Sequence, residues 1–90
     1  MEIEYDPRKR EETLKYRGLD FKRCIEVFNA PHIDIEDKRI DYGEKRIITF
    51  GFLAGREVVI VWTQRDDKHR IISMRKANER EQKAFYKFLG

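Results

Sequence analysis

Apolar residues gather most densely between Val58 and Ala77, in the stretch VVIVWTQRDDKHRIISMRKA. Five run together from Val58 to Trp62, a charged turn Asp66-Asp67-Lys68 follows, and a second strand-like run covers Arg70 to Met74. Two β-branched runs across a short polar loop predict a hairpin. Strict alternation along its second arm puts Arg70, Ile72 and Met74 on one face and Ile71, Ser73 and Arg75 on the other.

The rest of the chain supplies the other elements. Glu2 to Tyr5 alternates polar and apolar residues, as a short edge strand does. Asp6 is a helix cap and Pro7 suits the first helical position; the helix ends at Gly18 as a left-handed cap. Arg8 to Arg17 is almost wholly charged, so its inward stripe is thin: Leu14, with Thr13 or Tyr16. Asp20 caps a second helix, Phe21 to Asn29, in which Phe21, Cys24, Ile25 and Phe28 form the apolar face. Ile33, Ile35 and Ile40 read as a strand interrupted by the charged run Glu36 to Arg39, and Asp41 to Glu44 as a turn. Arg46 to Leu53 and Glu57 to Thr63 are strands joined by a tight turn at Ala54-Gly55-Arg56, and the continuous apolar run of the latter marks a central position. Asn78 and Glu81 have capping-box spacing for a last helix with Ala84, Phe85, Phe88 and Leu89 as its stripe. This order predicts an α+β fold: a central antiparallel sheet built as a meander, two N-terminal helices and a C-terminal helix.

Ninety residues bound this to a single domain, 1–90, with one core. Charged residues make up 41% of the chain, but Lys and Arg (20) nearly balance Asp and Glu (17), so what matters is whether cations collect on one face. The single cysteine, Cys24, excludes an internal disulfide and a Cys/His zinc cluster, and reads as a buried apolar side chain. The acidic start MEIEYDP is unlike a signal peptide, and no apolar run reaches the roughly 18 residues of a membrane span, so a cytoplasmic protein without membrane contact is expected.

The chain lacks a glycine-rich phosphate loop, a zinc-protease motif and a nucleophile elbow. Ser73 reads as a structural hydroxyl, and Asp66-Asp67 as turn residues. The cations remain. In RNA cleavage by the neighbouring 2′-hydroxyl, negative charge builds on phosphoryl oxygens, and an arginine fork stabilises it without metal or cofactor. Arg65 and Arg75 suit that role, although hairpin geometry places Arg65 nearer Arg70 than Arg75. Glu44, His69, Tyr86 and Lys76 are the candidates for proton transfer.

These residues also fall into a pattern. Glu4-Tyr5-Asp6-Pro7 with Lys9, Arg17-Gly18-Leu19-Asp20-Phe21, Val27-Phe28 with Pro31, Gly43-Glu44-Lys45-Arg46, Thr63-Gln64-Arg65 and Arg70 to Ala77 together resemble the BrnT toxins of bacterial type II toxin–antitoxin systems. The resemblance implies a RelE-like ribonuclease fold and RNA cleavage that halts translation. It also implies neutralisation in a hetero-oligomer with a BrnA-type antitoxin that carries a ribbon-helix-helix domain, the complex repressing its own operon through operator DNA. Lys9, Glu44, Arg46, Thr63, Arg65, Arg70, Ser73, Arg75 and Lys76 stand at motif positions. His69 stands where the family usually has an apolar residue, Arg17 where it often has histidine and Thr13 where it often has asparagine. On this reading Arg65 and Arg75 stabilise the scissile phosphate, Glu44 is the base, and Lys9, Arg46, Arg70 and Lys76 bind RNA. The alternatives are a non-catalytic RelE-like module that binds antitoxin or RNA, and a small DNA-binding regulator.

Overall fold

Five strands build one mixed sheet in the order β1-β5-β4-β3-β2, in a computed structural model that describes residues 1–89. Gly90 and the side chain of Leu89, expected in the last helix's stripe, lie outside the described residues. The strands are β1 (Glu2–Tyr5), β2 (Ile33–Asp37), β3 (Arg46–Leu53), β4 (Arg56–Arg65) and β5 (Lys68–Lys76). β2 to β5 form the expected antiparallel meander, and β1 adds to the outer side of β5 in parallel. The helices are α1 (Pro7–Arg17), α2 (Cys24–Phe28) after a 3-10 turn at Phe21–Arg23, and α3 (Glu79–Leu89). None of the described helices is long and apolar enough to cross a membrane.

The local chemistry explains the element ends. Asp6 accepts from the Arg8 N–H at 2.9 Å, and Gly18 closes α1 at φ 69°. Asn78 and Glu81 form the reciprocal capping box at 3.0 and 2.9 Å. Ala54 (φ 51°) and Gly55 (φ 78°) make a two-residue hairpin loop whose left-handed residues match the twist of the flanking strands. Arg56 thus belongs to β4. Likewise Asp66 (φ 56°) and Asp67 alone join β4 to β5, and Lys68 opens β5.

One face of the sheet carries the main core. Leu19, Phe21, Cys24, Val27 and Phe28 pack there against Leu53, Val58, Ile60, Trp62, Ile71 and Met74. Val27, not Ile25, joins Phe21 and Cys24, because the tighter 3-10 start brings residues three apart onto one line. Burial pushes the Cys24 thiol up to about 12. α3 crosses the second face, with buried Phe85 edge-on to Phe52 at 4.9 Å, and Phe88 is left exposed. Ile40 lies in a bend, 60% exposed, and the strand expected to reach it ends at Asp37, which is buried and takes Arg39 in a two-pronged pair at 2.9 and 3.0 Å.

α1 departs from the expected inward stripe. Every residue in it is at least partly exposed, and Leu14 is 42% exposed. Polar contacts hold it: Arg10 grips Asp20 at 2.8 and 3.1 Å, and Arg17 donates to the Met74 carbonyl at 2.9 Å. That carbonyl is available because β1 ends opposite Ile71, leaving the outer edge of β5 beyond it unpaired by a strand.

β5 also departs from strict alternation. Val61 pairs with Ser73 but Trp62 pairs with Ile71, so Ile72 is an extra residue, a β-bulge. Ile71 and Met74, three apart, therefore both enter the helix-side core at 2% and 0% exposure. Arg70, Ser73 and Arg75 consequently share the opposite face, which corrects the expected split of Arg70 from Arg75.

Gly51 sits where β3 passes under α2. A Cβ there meets Val27 Cγ1 at 2.6 Å and His32 Cβ at 3.3 Å. We expect Gly51→Ala to cost about 1–3 kcal/mol in urea unfolding through overpacking, with partial recovery when Val27→Ala is added.

Candidate functional site

The second sheet face brings together side chains from four strands. Arg46 pairs with Thr63, Thr63 with Arg70, and Arg70 with Glu4, forming one row across β3, β4, β5 and β1. Same-face residues of neighbouring strands stand side by side, about 5 Å apart per strand. Arg65 lies two residues beyond Thr63 on the same side, opposite Lys68. Glu44, in the loop before β3, adjoins the row through Arg46.

Carboxylates bracket these cations. Glu44 Oε1 lies 3.4 Å from Arg46 Nε, and the Arg46 guanidinium is stacked 3.7 Å above the Tyr42 ring. Glu4 Oε1 lies 3.9 Å from Arg65 Nε and 3.7 Å from Arg70 Nη1. Both are ion-pair distances outside hydrogen-bond range. Oε1 is buried without a hydrogen-bond partner among the described residues. Arg65 and Arg70 thus keep donors directed at solvent, with side chains 52% and 31% exposed. Thr63 fixes the row from below by donating to the Lys45 carbonyl at 2.7 Å. Such a face offers several guanidinium forks to an anion from a rigid sheet.

Arg75 shares the face but stands apart. It pairs with Val59, six residues along β4 from Arg65, or roughly 20 Å at the strand repeat. Its fork holds Glu81 at 2.7 and 2.8 Å, joining β5 to the first turn of α3. That hydrogen-bonded pairing raises the Arg75 pKa and lowers that of Glu81. The structure therefore gathers Glu44, Arg46, Arg65 and Arg70, and leaves Arg75 at the other end. Lys76 pairs with Val58 and borders a cleft with Arg23 and Arg56 beside the helices, away from the row. Tyr86 is also distant, donating to Glu57 at 2.6 Å.

Lys9 has a different neighbourhood. It borders a cleft of about 350 Å³ between α1 and the bulge of β5, with Thr13, Tyr16, Arg17, Ile72 and Ser73. Of these residues the sequence assigns RNA binding to Lys9 alone, while Ser73 stands at a motif position and Thr13 and Arg17 depart from the family pattern. The i, i+4, i+8 spacing of Lys9, Thr13 and Arg17 was the signal that they share a helix face. What that face meets depends on the bulge, which the sequence does not announce.

A family model described as BrnT, the ribonuclease toxin of a type II toxin–antitoxin system, matches residues 5–81. The chain belongs to the BrnT family. No curated protein matches it. The matched span takes in the arginine row except Glu4, all of the cleft and the capping box of α3. A type II toxin family carries with it an antitoxin partner.

In this BrnT-family chain His69 belongs to the core side. Its ring stacks on Trp62 at 3.8 Å and meets Phe28 edge-on at 5.1 Å, and Nδ1 is buried without a partner among the described residues. Trp62 in turn donates to Thr49 at 2.7 Å, and Thr49 to Asp34 at 2.6 Å. Burial lowers the His69 pKa below its usual 6.5. Asp34 opposes this, while the N-terminal ammonium and His32 add to it. The native state thus favours neutral His69. Its contribution is complete above pH 6.5 and diminishes as pH falls below that value, because the unfolded imidazole gains its proton first. Urea unfolding at pH 7.5 and pH 5 should show a loss of stability on acidification that is smaller in His69→Gln.

Proposed function

We propose that the protein is a metal-independent endoribonuclease of RelE-like fold that cleaves RNA on the open face of its sheet. The observation that carries this reading is the row itself. Glu44, Arg46, Thr63, Arg65 and Arg70 come from three separate sequence motifs and meet on one surface. The scissile phosphate lies over Thr63 between Arg46 and Arg70, with Arg65 beside it. Guanidinium forks placed there stabilise the charge that develops as the 2′-hydroxyl attacks phosphorus. Glu44, held by Arg46, takes the proton from that hydroxyl; the bond from phosphorus to the 5′-oxygen breaks to leave a 2′,3′-cyclic phosphate, and the departing oxygen takes a proton from solvent. Glu4 keeps Arg65 and Arg70 in place without saturating their donors. Lys9 binds the RNA strand from α1. Arg75 contributes by securing α3. Cleavage halts translation, and a ribbon-helix-helix antitoxin covers the toxin and represses the operon with it.

A second reading, binding of RNA or antitoxin without cleavage, is favoured by the carboxylates beside every arginine of the row. One assay separates the two. Purified, antitoxin-free protein is incubated with a defined RNA in EDTA and the product ends are mapped. The expected result is discrete cuts that persist in chelator. Arg70→Gln and Glu44→Gln should each reduce the rate by about 100-fold or more. Arg75→Ala should retain cleavage while making α3 more sensitive to protease. Tight, salt-dependent RNA binding with no cuts, including on translating ribosomes, would establish the binding-only role.

A further inference from the structure

The cleft between α1 and the bulge is one that the arginine row does not use. Lys9, Thr13, Tyr16 and Arg17 line it from one side of α1, and Ile72 and Ser73 from β5. Its volume, about 350 Å³, is within the range of small-molecule sites, roughly 300–1,000 Å³. Its chemistry is mixed. Two cations provide donors, the hydroxyls of Thr13, Ser73 and Tyr16 both donate and accept, and Tyr16, 76% exposed, also presents an aromatic ring. Arg17 uses Nη1 on the Met74 carbonyl, which anchors the guanidinium, and its other donors make no hydrogen bond among the described residues. Glu12 also borders the cleft and only accepts. A bare phosphate has no use for an aromatic plane or a carboxylate. A nucleotide uses all of them, because it brings an anion, hydroxyls, amino donors and a π-face.

The position matches. The bulge makes Arg70 and Ser73 successive outward residues of β5. Same-face neighbours on a strand are about 7 Å apart, close to one nucleotide step. Ser73 is thus shared between the rim of the cleft and the face that carries the row.

We propose that this cleft is a nucleotide subsite for single-stranded RNA, in which Tyr16 stacks a base, Lys9 and Arg17 hold the adjoining phosphate, and Thr13 and Ser73 bond the sugar or base edge. The proposal rests on the RNA reading above and adds the residues that select the nucleotide beside the scissile phosphate. Lys15 Nζ, 5.3 Å from the Tyr16 ring centre, adds positive charge to the platform.

The test is fluorescence anisotropy with a labelled single-stranded RNA 10-mer over a series of salt concentrations. Tyr16→Ala should weaken binding about tenfold, as expected for loss of a base stack, while Tyr16→Phe stays within about twofold of wild type. The salt slope should be unchanged in Tyr16→Ala and shallower in Arg70→Gln, because only the latter loses a phosphate contact. Tyr16 is exposed, and matching thermal melts will verify that both Tyr16 variants fold. Unaltered RNA affinity in Tyr16→Ala, or an equal loss in Tyr16→Phe, would overturn the subsite and leave the RNA reading standing. Absence of RNA binding by the wild-type protein would overturn the RNA reading itself, and the subsite with it.

Discussion

A single extra residue in β5, Ile72, controls how this chain divides its side chains between core and surface. Without it, a strand that buries Ile71 would send Met74 outward and place Arg75 toward the core, because alternation is fixed at two. The bulge resets the alternation at the point where β1 stops. Ile71 and Met74 then both seal the helix-side core, and Arg70, Ser73 and Arg75 emerge together. It also opens the rim on which α1 rests, so the cleft and the arginine face originate in the same local irregularity.

Around that point, charged side chains do much of the structural work usually given to apolar ones. α1 has no deep stripe. It is tied down by its cap, by Arg10 on Asp20 and by Arg17 on a free strand carbonyl. α3 is fastened by Arg75 on Glu81 as well as by Phe85. Two groups of arginines in this protein can be told apart by their carboxylate contacts. Those with short, two-pronged carboxylate contacts, Arg10, Arg23, Arg39 and Arg75, are structural. Arg65 and Arg70 face a carboxylate only at longer range and keep donors for a ligand. Geometry, not abundance, separates them.

The helix ends and hairpin turns were legible because they depend on short-range chemistry. Asp6, Gly18 and the Asn78–Glu81 pair act on backbone groups within a few residues. The errors came from longer range. Leu14 was expected inside because it is the one aliphatic residue in α1, but the helix lies along a sheet edge and not on a face. A 3.6-residue repeat from Phe21 selects Ile25, but the 3-10 start has 3.0 residues per turn and Val27 is buried instead. Of the expected site, Glu44, Arg46, Arg65 and Arg70 come together. Arg75 and Lys76 do not, since β5 carries them away from the turn along its length, and Lys9 borders the separate cleft under α1.

The sequence by itself determined the element order, the antiparallel meander, the capping residues and, through its motifs, the family. Those are properties of neighbouring residues and of fixed spacing. The tertiary structure alone decided the parallel addition of β1, the register of β5, the meeting of Arg65 and Arg70 with Glu4, and the alignment of Arg46 in the same row. These depend on which strands pair and where a ladder slips by one residue. A slip of one residue changes no local propensity, yet it moves every later side chain to the opposite face of the sheet.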